Sequence, residues 1–173
     1  LNHKELNKMY QQIVKDGTQI IMHVNDPDEF WDLNRAPQWA IDCGWTYADG
    51  TFTSYEDVRD QAIKILEDYP NICMTFAHFF FCSKEPEILE DLFKKYPNFC
   101  VDLTPGGEMY VEFEKNYDYY KSFFNKYSDR LIFGTDRSFI CDEKYADWSF
   151  NLVTSFISTD KIIPSYDDKK LKG

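Results

Sequence analysis

Three side chains able to do chemistry fall at matching places in this sequence. His23 closes the run from Thr18, His78 closes the apolar run from Ile72, and Asp136 closes the run from Leu131. A neutral imidazole ligates metals and exchanges protons near neutral pH. A carboxylate binds divalent ions and takes a proton from the water they activate. Each residue also has a structural alternative. A lone histidine in an apolar run is often a packed core residue, and an Asp after Gly134-Thr135 is a good helix N-cap. His78 stands between Ala77 and Phe79, where burial would lower its pKa and keep it neutral. That favours a polarising or acid–base role over ligation. Arg137 either keeps the Asp136 carboxylate ionised or is a surface charge.

The elements that must hold these residues recur four times. Each unit is an amphipathic stretch, a polar turn and a short apolar run. Leu6, Met9, Tyr10, Ile13 and Val14 share a helical face that Asp16-Gly17 ends. Thr53 and Glu56 have capping-box spacing ahead of Val58, Ala62, Ile65, Leu66 and Tyr69. Pro86 opens a third face of Ile88, Leu89, Leu92, Phe93 and Tyr96. Tyr117, Tyr120, Phe124 and Tyr127 form a fourth, and a last helix is expected over about 143–158. The turns after the second and third helices are both Tyr-Pro-Asn, at Tyr69 and at Tyr96. Strands that read as nearly continuous apolar runs, each separated by a helix, specify a parallel α/β sheet buried on both faces. Its carboxyl edge is where such folds bind ligands. His23, His78 and Asp136 all lie there. Asp102 shares a face with Cys100 and Thr104, which suits a structural role, and Glu108 sits in a rim loop within reach of a substrate.

The stretch from Asn25 to Gly50 is long for a connection. It carries Phe30, Trp31, Trp39, Trp45 and Tyr47, too aromatic for a disordered loop, so it reads as a lid or a subunit contact. Asp26, Asp28 and Asp32 lack the glycine and closing glutamate of a calcium loop. Nucleophilic-serine, phosphate-loop and dinucleotide motifs are absent.

The chain has 173 residues, a net charge of −11 and 18% aromatics. Length and composition suit one domain over 1–173 with a sizeable core. The charge has the wrong sign for nucleic acid or an anionic membrane surface. The longest apolar stretch is too short to span a bilayer. Five scattered cysteines without a CxxC pair argue against a disulfide framework and for a reducing, cytoplasmic setting.

The segments His23-Val24-Asn25-Asp26-Pro27, Tyr69-Pro70-Asn71 through His78, Tyr96 through Thr104 and Asp129 through Asp136 together resemble the amidohydrolase-related family of metal-dependent hydrolases and decarboxylases. The resemblance covers roughly residues 1–136. It implies the C-terminal half of a (β/α)8 TIM barrel, with His23 ending the fifth strand, His78 the sixth and Asp136 the eighth, and Asp102 on the seventh. It implies a divalent metal, zinc first, held by His23 and Asp136, with Asp136 and His78 as catalytic groups. The reaction would be attack of a metal-bound water on an amide, ester or lactone carbon of a small-molecule substrate, or decarboxylation at the same site. The family's His-x-His pair on the first strand is missing, so the chain is expected to be a fragment, inactive alone. It is also expected to be a homo-oligomer or to associate with a missing N-terminal half. The alternative is a non-catalytic half-barrel that binds a ligand or partner.

Overall fold

The computed structural model describes residues 1–106, 108–137, 143–159, 162–164 and 170–172. Gly107 and Cys141 lie outside them. The order is α1 (Asn7–Asp16), β1 (Gln19–Met22), α2 (Gln38–Asp42), α3 (Tyr55–Asp68), β2 (Cys73–Phe76), α4 (Pro86–Lys95), β3 (Phe99–Asp102), α5 (Met109–Lys115), α6 (Tyr117–Lys126), β4 (Leu131–Ile132) and α7 (Glu143–Ser158), then a small hairpin of β5 (Ile162–Pro164) and β6 (Lys170–Lys172). Strands β1 to β4 form one sheet in sequence order, every pair parallel. This is the parallel α/β arrangement that the alternating pattern specifies, and its four strands agree with the half-barrel that the resemblance implies.

The helix boundaries follow local chemistry. Gly17 ends α1 in the left-handed region, at φ 63°, where a Cβ would be costly. Helix α3 is capped by Ser54, which accepts from the Asp57 N–H at 3.1 Å. The cap is therefore one residue later than the Thr53–Glu56 spacing suggests. Pro86 occupies the first turn of α4. The two Tyr-Pro-Asn turns are tied to each other, since Asn98 Nδ2 donates to the Asn71 carbonyl.

The register fixes the two faces of the sheet. Ile21 pairs with Thr75, and Thr75 with Cys100. Side chains alternate along a strand, so Gln19, Ile21 and His23 share the inner face with Thr75, Cys100 and Asp102. Gln19 Nε2 donates to Thr75 Oγ1 on that face. On the outer face Met74, Phe76, Phe99, Val101 and Leu103 pack under the helices, with Leu66, Leu89, Leu92, Phe113 and Phe123 in the same core. Burial on both faces, which the apolar runs suggest, does not hold throughout. Ile21 is 68% exposed, so the described residues leave the inner face of β1 largely uncovered.

The strands are also shorter than the apolar runs, and the polar residues stand just past their ends. After β2 the chain enters a left-handed turn. His78, Phe79, Phe80 and Phe81 have φ of 53°, 55°, 56° and 52°. For four non-glycine residues this costs about 4–8 kcal/mol. Phe79 and Phe80 are fully buried and Phe81 nearly so. Burying three such rings returns roughly 5–9 kcal/mol, so core packing is large enough to hold the turn.

Candidate active site

The carboxyl edge gathers the chemistry. His23 follows β1 directly and His78 begins the left-handed turn. Their rings meet edge to face with centroids 4.9 Å apart. Phe81 packs against both, 5.7 Å from His23 and 5.2 Å from His78. Asp136, itself left-handed at φ 51°, lies beyond β4, close enough that its charge favours protonation of both imidazoles. The structure therefore brings His23 and His78 into contact and sets Asp136 on the same rim. The Arg137 guanidinium lies over the Tyr145 ring, 3.4 Å from its centre.

The two histidines differ in environment. His23 has a half-exposed side chain, with Nε2 3.7 Å from Asp26 Oδ1. Asp26 draws its pKa upward, and partial burial only partly offsets that pull. Burial pushes Asp26 itself up, but His23 and the donors Tyr47 and Trp45 hold its carboxyl below the usual range. Tyr47 Oη and Trp45 Nε1 both donate to Asp26 Oδ2. His78 is 7% exposed. Burial lowers its pKa and the neighbouring His23 lowers it further, against the opposing charges of Asp102 and Asp136. The Thr104 backbone is near enough to favour a proton on this ring but not at hydrogen-bonding geometry. Nδ1 is accordingly buried without a hydrogen-bond partner among the described residues. The pair thus joins a readily protonated imidazole to a neutral one.

Asp102 holds the rim together. Its Oδ1 accepts from the His78 N–H at 2.8 Å and the Thr104 N–H at 3.1 Å. Gly134 passes so close that a Cβ there would meet Thr104 Oγ1 at 2.2 Å. Gly106 passes on the other side, where a Cβ would stand 3.3 Å from His78 Cβ. Tyr55 Oη donates to the Phe81 carbonyl and Tyr110 Oη to the Leu103 carbonyl, so two tyrosines anchor the rim loops from the helix side.

The aromatic loop folds over this edge. Trp31 and Tyr47 pack as tilted rings with centroids 4.4 Å apart, and Trp31 Nε1 donates to the Thr53 carbonyl. A cavity of about 370 Å³ opens beside His23, lined by Asp26, Trp31, Tyr47 and Phe52 among others. Lys84, from the loop after β2, bridges Asp28 and Glu29 at 2.8 Å each, and Arg35 pairs with Asp28 and Asp32. These acids are spent on ion pairs. Glu108 is pushed up to about 7 by burial, with Oε2 lacking a partner.

Asp26 is the site residue that sequence reasoning undervalued, as a weak calcium candidate. Its i,i+3 spacing from His23 and the downstream Trp45 and Tyr47 were the available signal. Among the described residues no three His, Cys, Asp or Glu side chains converge to hold a metal ion. His23 and Asp136 are chemically suited to zinc, yet a closed or catalytic zinc site takes three or more protein ligands. The residues here do not complete one. Cys43, Cys73, Cys82 and Cys100 are free thiols.

No family profile and no curated protein sequence matches the chain. Among solved structures it is similar to an uncharacterised TIM-barrel protein from Bordetella bronchiseptica, at 17% identity and a TM-score of 0.51, over 85% of this chain and 43% of that one. It also overlaps a 2,6-dihydroxybenzoate decarboxylase from Rhizobium at 13% identity and a TM-score of 0.49, over 96% of this chain and 52% of that one. The chain thus spans less than half of the first of these proteins, and it has the fold of part of a TIM barrel.

Proposed function

We propose that this chain forms one wall of the active site of an amidohydrolase-like enzyme, the C-terminal half of its barrel. The observation that carries the reading is the contact between His23 and His78 on the carboxyl edge of a parallel sheet, with Asp136 acting on both. In a complete site His23 and Asp136 would hold a divalent ion, zinc by donor chemistry, and that ion would supply an activated water for an amide, ester or lactone carbon. Decarboxylation on the same scaffold is the variant reaction. The described residues of this chain supply too few ligands to hold the ion by themselves.

The chain's own groups have separable tasks. Asp26 orients His23 through Nε2 and raises the basicity of its ring. His78, neutral and nearly buried, polarises a substrate carbonyl or exchanges a proton with it. The aromatic loop limits water at the His23 side. The open edges of β1 and β4 and the bare inner face at Ile21 support association with a complementary half or a second copy. Free thiols suit a reducing cytoplasm, and no helix among the described residues is long and apolar enough to cross a membrane.

The second reading is a non-catalytic half-barrel, favoured by the lack of a third converging ligand. Zinc titration by calorimetry, with sedimentation velocity on the same samples, separates the two. Zinc binding by an assembled species that is lost in both His23→Ala and Asp136→Ala supports the enzyme. A monomer or oligomer that binds no zinc and hydrolyses no ester or lactone supports the binding module.

A further inference from the structure

We propose that Asp102 is the positioning residue for His78: its carboxylate fixes the main chain where the left-handed turn begins and so sets where the imidazole stands against His23. The β2–β3 register ends at Phe76 and Val101. Beyond that point the His78 N–H has no strand partner, and Asp102 Oδ1 replaces the ladder at 2.8 Å. The carboxylate is itself buried and takes a second N–H from Thr104, so its place is fixed by donors on two rim loops. The rest of the turn is held independently. Tyr55 Oη grips the Phe81 carbonyl, and Phe79 and Phe80 are locked in the core. Gly106 walls the Cβ of His78. Asp102 is thus the group that determines the entrance while aromatic packing determines the exit. This role rests on the reading of His78 as a working group of the site, but its measurement requires neither metal nor turnover.

The test is amide exchange and ring-to-ring NOE measurement on the labelled 173-residue protein. Asp102→Ala should speed exchange of the His78 amide roughly 10- to 100-fold, the loss of a hydrogen bond to a charged group. It should also abolish the NOE between the His23 and His78 rings and leave the amides of α3 and α4 protected. Asp102→Asn keeps an oxygen acceptor and should retain both signals. The proposal is overturned if the alanine variant keeps the His78 protection and the NOE, or if α3 and α4 lose protection along with His78, which would make Asp102 a general fold element. It is equally overturned if the asparagine variant behaves like alanine. A chain that shows the expected signals yet never binds zinc or turns over a substrate would refute the proposed function and leave this inference standing.

Discussion

Replacing Gly134 tests the packing at the heart of the rim. A Cβ at this position would meet Thr104 Oγ1 at 2.2 Å, with Thr104 Cβ at 3.4 Å and Asp102 Cγ at 3.5 Å behind it. Thr104 is 5% exposed, and a β-branched side chain has few rotamers to escape into. Gly134→Ala therefore overpacks a buried contact and should cost about 1–3 kcal/mol. At this chain length that lowers Tm by roughly 2–12 °C. Thr104→Ala removes the clashing oxygen and leaves only ordinary contacts. The double variant should therefore recover much of the loss, with a coupling of about 1–2 kcal/mol. Thermal melts of the parent, both single variants and the double variant give the cycle. Additive losses, or a Gly134→Ala melt unchanged from the parent, would show that Gly134 is not wedged against Thr104, and the described rim geometry would fail with it.

Asp136→Gly releases a non-glycine residue from φ 51°, so it should stabilise the fold by about 1 kcal/mol while removing the donor proposed for the metal; under that proposal melts and zinc calorimetry move in opposite directions. Glu108 titrates near 7 when folded, well above its unfolded value. Its stabilising contribution is complete below the unfolded pKa near 4.3 and disappears as pH rises through 7. Glu108→Gln should thus gain on the parent by roughly 3 kcal/mol between pH 5 and 9, read from urea midpoints across that range, and parallel profiles would contradict the burial argument. Lys84→Met breaks the pairs with Asp28 and Glu29. The Lys84 side chain is 41% exposed, so the global cost should stay below about 1 kcal/mol while limited proteolysis of the 25–53 loop accelerates.

Much of the framework was legible because period and punctuation agree. The faces at Val58–Ala62–Ile65–Leu66 and Ile88–Leu89–Leu92–Phe93 pack where their spacing puts them, and α7 covers 143–158 as its apolar side suggests. The parallel order follows from one helix per gap. What held only in part was the inference from apolar runs to two-sided burial: β2 and β3 are buried or half-buried on both faces, whereas Ile21 of β1 is exposed. The runs 72–78 and 131–136 include rim residues that leave the sheet, so β4 is only Leu131–Ile132. Composition alone does not mark where a strand stops and its rim begins.

The left-handed turn was illegible for a deeper reason. Phenylalanine at positive φ is disfavoured, so local propensity across His78–Phe81 points away from what the chain does. The turn exists because tertiary terms exceed local ones: Phe79 and Phe80 enter a core already built by α4, α5 and α6, Phe81 packs against the two histidines, and Asp102 and Tyr55 hold its two ends. Strain of this kind persists only where the surroundings over-determine it, and it concentrates at functional sites. The segment that sequence rules describe worst is the one carrying His78 into contact with His23. That agrees with a rim shaped by the geometry its side chains need rather than by the preferences of its residues.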